Sequence, residues 1–145
     1  MRKPFLRLLT AIILSVLLLG CSSELTDKEK IIALFYKNED LFLSAAETGD
    51  YTVVESLRGV QSVSFNKEFQ RIDFYCGGTG LVPSSVYYGI CYFYDAEETF
   101  SEIFIKYPEW YADDEGGYHY RQDGGDNRFD YEPLENGFYY YCKSY

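Results

Sequence analysis

The spacing of apolar and polar positions changes twice along the chain. Residues 8–19 form an almost wholly apolar run near the N-terminus. From about Lys28 to Glu47, apolar residues recur every three or four positions, which predicts an amphipathic helix. Beyond Val60 the period shortens to two, which is typical of strands with one buried face. The pattern therefore predicts a helix followed by a sheet.

The predicted helix has sequence signals at both ends. Thr26 and Glu29 are spaced as a capping box, and Gly49 follows the last apolar position, where glycine commonly ends a helix. The apolar stripe between these ends consists of Ile31, Ile32, Phe35, Leu41, Phe42 and Ala45. Such a stripe needs a second layer against which to bury its apolar face.

The period-two segments predict about five or six strands. Val86 to Tyr94 is apolar or aromatic on both faces, which predicts a central strand covered on both sides. Residues 96–106 fit a helix and a strand equally, and residues 107–117 predict loops. The predicted fold class is α+β: one N-terminal helix packed on an antiparallel sheet of about five or six strands.

Two glycine-containing turns organise the C-terminal part of the predicted sheet. The segments 123–126 (Asp-Gly-Gly-Asp) and 136–137 (Asn-Gly) are both hairpin signals. Centring the second turn on residues 136–137 places Asp130 opposite Lys143, a favourable pair of charges. It also places Pro133 in a strand, which indicates a longer loop or an edge bulge.

The first 20 residues have the layout of a secretory signal peptide, with three basic residues before the apolar run. That run is shorter than the ~20 residues of a membrane-spanning helix. The segment Leu18-Leu19-Gly20-Cys21 resembles the lipobox of bacterial lipoproteins. In that family the cysteine is lipidated and becomes the first mature residue, so the resemblance implies that Cys21 anchors the chain in the lipid bilayer, at the extracytoplasmic face of the cell membrane.

The leader sets the predicted domain organisation. We expect a lipoprotein signal peptide over residues 1–20, a lipidated tether over residues 21–26 and one α+β domain over residues 27–145. A secreted protein with a chance cysteine and an uncleaved anchor are the alternatives.

Charge narrows the classes of partner. The whole chain carries a formal charge of −10, and removal of the leader leaves 10 basic residues against 23 acidic ones. Nucleic acid is therefore excluded as a predicted partner, because binding to phosphates depends on Lys and Arg. An envelope protein or glycan, a cationic partner and a metal ion are the remaining candidates.

Three cysteines remain in the predicted domain. Cys76 and Cys91 fall on strands predicted to be neighbours, and an exported domain sits where disulfides persist. A bridge between these two is our first expectation, with Cys142 left over. The alternative is that all three are small buried hydrophobic side chains with free thiols.

Aromatic residues are the feature most out of proportion, at 19% of the chain with 16 tyrosines. Tyr107, Trp110 and Tyr111 follow one another closely in a predicted loop, and we take them as candidate binding aromatics. Rigid aromatic rings are favoured at protein interfaces, and they also stack on sugars. The alternative is that the aromatics form the core and the cross-strand ladders of the sheet.

Acidic residues and a single histidine offer weaker candidates for chemistry. Asp123, Asp126 and Asp130 are spaced around a turn and are candidate calcium ligands, although they do not fit the EF-hand pattern. We prefer the interpretation that these residues form a solvated acidic loop, and we predict no other cofactor. His119 could pair with Cys142 or with a serine, but no catalytic motif accompanies it.

Two segments of the predicted domain resemble known proteins. DFYCGGTGLVPSSVYYG at 73–89 and GGDNRFDYEPLENGFYYY at 124–141 are similar to segments of small uncharacterised lipoproteins of Firmicutes, many of them from the gut. The resemblance covers most of the domain. It implies one intact domain and a Gram-positive membrane address, and it implies no activity, ligand or catalytic residue.

The sequence thus predicts a membrane-anchored lipoprotein whose domain is a non-enzymatic binding or interaction module. Residues 95–135 hold 13 acidic residues against three basic ones, interleaved with aromatics, which favours a surface for a protein or a glycan. A cell-wall or glycan hydrolase using His119 or an Asp/Glu pair is the alternative, as is a structural surface protein without a dedicated ligand.

Overall fold

The computed structural model describes residues 24–81 and 84–145. Within these residues the fold is α+β, with four helices and one antiparallel sheet of seven strands. The predicted class is confirmed, but the sheet is larger than expected and the helices are more numerous. The signal peptide and the lipidation site Cys21 lie outside the described residues.

The predicted N-terminal helix consists of two helices that meet at Asn38. This residue leaves helical geometry (φ −128°), and its Nδ2 donates a hydrogen bond to the carbonyl of Leu34 at 2.8 Å. The N-cap is Asp27 rather than Thr26, because the Asp27 carboxylate accepts a hydrogen bond from the Lys30 N–H. The helices are α1 (Lys28–Lys37), α2 (Glu39–Thr48), α3 (Thr52–Glu55) and α4 (Ala96–Lys106).

The seven strands form two antiparallel meanders that join in the middle of the sheet. Their spatial order is β1-β2-β3-β7-β6-β5-β4, and α4 connects the two halves along the chain. The strands are β1 (Ser62–Asn66), β2 (Arg71–Leu81), β3 (Ser84–Phe93), β4 (Trp110–Ala112), β5 (Tyr118–Arg121), β6 (Arg128–Pro133) and β7 (Phe138–Ser144). Strand β2 runs through the glycine-rich segment 77–80, and β4 forms where a loop was predicted.

Each face of the sheet carries its own core. On the first face, α1, α2 and α3 cover a cluster in which Phe35, Phe42, Phe74 and Phe138 are fully buried and pack ring against ring. On the second face, α4 covers a smaller cluster around Phe100. Helix α4 covers only part of the second face, and the uncovered part forms the site described below.

Leu25 already belongs to the domain, although the tether was predicted to run through residue 26. Its N–H donates a hydrogen bond to the carbonyl of Cys76 at 2.9 Å, and its side chain packs against the first core. Two glycines make this possible, because a Cβ at Gly59 would lie 2.5 Å from the Leu25 side chain, and one at Gly77 2.7 Å from its carbonyl oxygen. The ordered domain therefore begins closer to Cys21 than the sequence indicated.

The predicted pairing of Asp130 with Lys143 is wrong by one residue. Asp130 lies opposite Cys142, and Lys143 lies opposite Phe129. The loop between β6 and β7 has three residues, 135–137, since the N–H of Leu134 donates to the carbonyl of Phe138. A shift of one residue sends a strand's side chains to the other face. Asp130 and Lys143 are consequently on opposite faces of the sheet.

The predicted bridge between Cys76 and Cys91 is absent, and both residues are free thiols. Cys76 sits in the core of the first face, whereas Cys91 lies opposite Asp73 and sits in the core of the second face. Neighbouring strands are not enough for a bridge, because the two side chains must also point to the same face. Burial is the larger cause that raises the pKa of each thiol to about 12.

Candidate binding groove

A charged cluster lies at the centre of the second face. Arg71 and Asp73 come from β2, and Lys143 comes from β7, with β3 between the two strands. Arg71 Nε and Nη2 both donate to Asp73 Oδ2, at 3.0 and 2.7 Å, and Nη1 donates to the hydroxyl of Tyr131 at 2.8 Å. Lys143 Nζ lies 3.5 Å from Asp73 Oδ1. We call these three charged residues the ionic cluster.

Gly89 allows the ionic cluster to span β3. A Cβ at this position would lie 2.7 Å from the Tyr141 hydroxyl oxygen and 2.3 Å from the carbonyl oxygen of Phe74. Without one, the ring of Tyr141 lies over Gly89, and Lys143 Nζ sits 4.2 Å from the centroid of that ring. The strand thus has a gap in its side chains at the position where the lysine crosses towards Asp73.

The ionic cluster carries one net positive charge in a largely buried place. Arg71 is 8% exposed, and the side chains of Lys143 and Asp73 are 14% and 15% exposed. Burial, followed by repulsion from Arg71, lowers the pKa of Lys143. Burial raises the pKa of Tyr131 and of Tyr141, so both hydroxyls stay neutral. Two cations therefore share a single carboxylate, and no second anion balances them among the described contacts.

Two cavities open above the ionic cluster and share Lys143 and Tyr145 as lining residues. One, of about 370 Å³, extends towards α4 and includes Arg71 and Trp110. The other, of about 510 Å³, extends towards β1 and includes Asp73. Their further lining residues include Tyr107, Tyr120, Phe129 and Tyr131 in the first cavity and Ser64, Tyr75, Ser85 and Tyr87 in the second. Together the two cavities form what we call the groove, with an ionic floor and aromatic walls.

The three candidate binding aromatics are divided between the two faces of the sheet. Trp110 lies on the second face, against Phe100 and Tyr131, and lines the groove together with the half-exposed Tyr107. Tyr111 is the next residue of β4, so its side chain points to the first face, where it stacks on His119. The groove therefore includes Tyr107 and Trp110 but not Tyr111.

His119 sits between two carboxylates. Its Nδ1 is 2.7 Å from Asp130 Oδ1, and its Nε2 is 2.9 Å from Asp113 Oδ2. Burial opposes protonation, but the two carboxylates outweigh it and raise the pKa of His119. Because carboxylates only accept hydrogen bonds, the arrangement fits a protonated ring with both nitrogens as donors, which suits a structural ion pair better than a general base.

Asp130, one of the candidate calcium ligands, forms ion pairs with three side chains. It accepts hydrogen bonds from Arg121 and Arg128 in addition to its contact with His119. Asp123 and Asp126 lie in the exposed turn between β5 and β6. No group of three or more His, Cys, Asp or Glu side chains able to hold a metal ion is found in residues 24–81 and 84–145.

Sequence reasoning missed the residues at the centre of the groove, namely Arg71, Asp73 and Lys143. The alternation over residues 71–76 places Ile72, Phe74 and Cys76 on one face, in the first core. The same alternation places Arg71 and Asp73 together on the other face. This pattern could have identified the charged pair from the sequence. Lys143 was assigned to the wrong face through the one-residue error in the β6–β7 loop.

Comparisons of this chain with protein-family models, with curated proteins and with solved structures find no match. No helix within the described ranges is long and apolar enough to cross a membrane. The groove is therefore the feature from which we infer a function.

Proposed function

We propose that this protein is a lipid-anchored extracytoplasmic lipoprotein whose domain binds a component of the cell envelope in the groove, without catalysing a reaction. The observation that carries the proposal is the ionic cluster beneath aromatic walls on the uncovered part of the second face. Cavities of several hundred Å³ with aromatic walls and a few convergent polar groups are typical of ligand sites.

The chemistry of the groove supports binding rather than turnover. Asp73 is held by Arg71 through two hydrogen bonds, and Tyr131 is a neutral hydroxyl engaged by the same guanidinium. Side chains held in this way suit fixed recognition of a ligand. His119, the candidate base of the hydrolase alternative, is on the opposite face and has both ring nitrogens occupied.

The position of Leu25 supports an envelope ligand if Cys21 is lipidated. Leu25 is fixed to β2 by a backbone hydrogen bond, and only three residues separate it from Cys21. A fully extended chain gains at most about 3.6 Å per residue, so the ordered domain would stay within about 14 Å of the lipid anchor. A short tether of this kind favours ligands that belong to the membrane surface or the wall over ligands far from the cell.

The test is capture from the envelope of a Gram-positive bacterium by the immobilised domain (residues 22–145), comparing Trp110→Ala and Tyr107→Ala with Tyr111→Ala. Trp110 and Tyr111 are neighbours on β4 and point to opposite faces, so Tyr111→Ala is a matched control that leaves the groove intact. We expect the Trp110 and Tyr107 variants to lose capture and the Tyr111 variant to keep it. Equal capture by all variants, with folding verified by circular dichroism, would reject the groove as the site.

Chelation of divalent ions is a second arm of the same experiment. Capture that survives chelation is the expected result, because the groove residues include no cluster of carboxylates. Capture that requires calcium would instead point to the turn with Asp123 and Asp126.

A further inference from the structure

We infer that the ligand of the groove is an acidic glycan, in which a sugar ring stacks on the aromatic walls and a carboxylate pairs with Lys143. This inference rests on the proposed function and specifies the chemical class of its ligand. It follows from three features of the groove: an unequal count of charges, an ammonium group with spare donors, and walls in which rings alternate with hydroxyl groups.

The first feature is the unequal count of charges. Arg71 and Lys143 are both cations, whereas Asp73 is the one carboxylate in the ionic cluster. Keeping two cations in a largely buried place costs free energy unless an anion compensates them. The whole chain is strongly acidic, so its surface does not attract anions in general. A single excess positive charge in the groove therefore indicates selection of a monoanionic group at short range.

The second feature is the ammonium group of Lys143. Among the residues that the structure describes, its one polar contact is Asp73 Oδ1 at 3.5 Å, which is longer than an ordinary hydrogen bond. That oxygen is buried and has no hydrogen-bond partner in the described residues. Lys143 lines both cavities. A ligand carboxylate would accept hydrogen bonds that the ammonium does not make to the protein.

The net charge of the ionic cluster favours a carboxylate over a phosphate. Two donors of Arg71 are taken by Asp73 and a third by the hydroxyl of Tyr131, so Lys143 is left to meet the ligand. One excess positive charge matches a carboxylate, which carries one negative charge, better than a phosphate monoester, which carries nearly two at neutral pH.

The third feature is the composition of the walls. Tyr87 and Tyr145 pack ring to ring at 5.8 Å in one cavity, while Trp110 and Tyr120 pack at 5.4 Å in the other. Their aromatic faces offer apolar area for sugar rings. The hydroxyl groups of Ser64 and of the tyrosines offer donors and acceptors for sugar hydroxyls. A mixture of flat rings and hydroxyls suits a glycan better than an aliphatic chain.

The experiment is isothermal titration of the domain (residues 22–145) with tri-galacturonic acid and with a hyaluronan tetrasaccharide, both of which carry sugar carboxylates. The matched control ligands are the methyl esters of the same two oligosaccharides, in which the sugar is unchanged and the charge is removed. Inorganic phosphate is a further arm that detects a general oxyanion site. We expect saturable binding of at least one acid, weakened about tenfold or more in its ester.

The matched protein variants are Lys143→Met and Lys28→Met. Lys28 also pairs with one carboxylate, that of Glu132, and lies 5.6 Å from a tyrosine ring, that of Tyr140, but it is outside the groove. We expect Lys143→Met to lose the preference for acid over ester and Lys28→Met to keep it. Because the comparison of acid with ester uses the unaltered protein, it decides the question even if Lys143→Met does not fold.

Equal binding of acid and ester, or no saturable binding of either acid, would overturn the inference. Binding of inorganic phosphate that is tighter than the binding of either acid would also overturn it. If the acids do not bind but envelope capture still depends on Trp110, the groove is a binding site for another class of ligand, such as a peptide, and the proposed function stands. If envelope capture is also independent of Trp110, both proposals fail.

Discussion

Lys143 Nζ and Asp73 Oδ1 approach to 3.5 Å although the strands that carry them, β7 and β2, are separated by β3. The contact is possible because the strand between them carries Gly89, over which the ring of Tyr141 lies. The two meanders of the sheet are joined at β3 and β7, so this contact links one half to the other at the floor of the groove. The contact between Lys143 and Asp73 consequently depends on the packing around Gly89.

Substitution of Gly89 by alanine tests this dependence. Alanine in a strand normally gains some stability over glycine. Here its Cβ would meet the carbonyl oxygen of Phe74 and the ring of Tyr141. We expect Gly89→Ala to lower the free energy of unfolding by about 1–3 kcal/mol, measured by urea denaturation. An increase in stability would show that Tyr141 does not need the space above Gly89.

Removal of the shared carboxylate tests the balance of charges. In Asp73→Asn, Arg71 and Lys143 remain buried without an anion, and we expect a loss of about 3 kcal/mol in the free energy of unfolding. Glu132→Gln is the control, because its ion pair with Lys28 is exposed and contributes about 1 kcal/mol at most. Similar small losses of unfolding free energy in both variants would show that the ionic cluster stabilises the fold no more than an exposed ion pair does.

The ion pairs of His119 predict a pH dependence of stability. Its pKa is raised above 6.5 in the folded protein, where its neighbours are Asp113, Asp130, the Tyr111 ring and, through Asp130, the arginines Arg121 and Arg128. The stabilisation from its protonated form is therefore complete below about pH 6.5 and is lost as the pH rises through the raised pKa.

Urea midpoints measured between pH 5.5 and pH 9 check this dependence. The difference between the unaltered protein and His119→Gln should be largest at pH 5.5 and shrink towards pH 9. At pH 5.5 both partner carboxylates are charged, because the pKa values of Asp113 and Asp130 are lowered in the folded protein. A difference that stays constant across the range would contradict a protonated histidine in the folded state.

The thiols provide a test of the two cores. Without reductant, the unfolded domain (residues 22–145) should show three thiols, because Cys76, Cys91 and Cys142 are all free. In the folded protein, only Cys142 should react with a thiol reagent, since the other two are fully buried and their pKa values are raised to about 12. If the domain unfolded in urea showed one reactive thiol instead of three, two of the cysteines would be joined in a disulfide bridge.

Local patterns predicted much of the fold. The alternation in β2 and the helical stripe before it depend on which residues are apolar, and both are found in the first core. Gly49 ends α2 in the left-handed region, at φ 72°, as glycine commonly does after a helix. The break at Asn38 was not predicted because the apolar stripe continues past it, so only the backbone geometry at that residue reveals it.

Features that depend on the register between strands were predicted less well than the helices and strands themselves. The loop at residues 135–137 has one more residue than its Asn-Gly signal indicates, and that difference moves Lys143 from the face of Asp130 to the face of Asp73. The expected bridge between Cys76 and Cys91 is absent for a related reason. The two residues are on adjacent strands, but their side chains point to opposite faces of the sheet. The candidate site depends on the same kind of information, and Tyr107 and Trp110 are the groove residues that the sequence analysis gave as candidate binding residues.

Binding in the groove can be tested directly by amide chemical-shift mapping of the ¹⁵N-labelled domain during titration with the solubilised envelope fraction that it captures. The groove predicts that shifts cluster at Asp73, Tyr87, Trp110, Lys143 and Tyr145, with the indole N–H of Trp110, the one tryptophan of the chain, among the most affected. Shifts confined to the first face, around Tyr111 and His119, would show that the ligand does not bind in the groove.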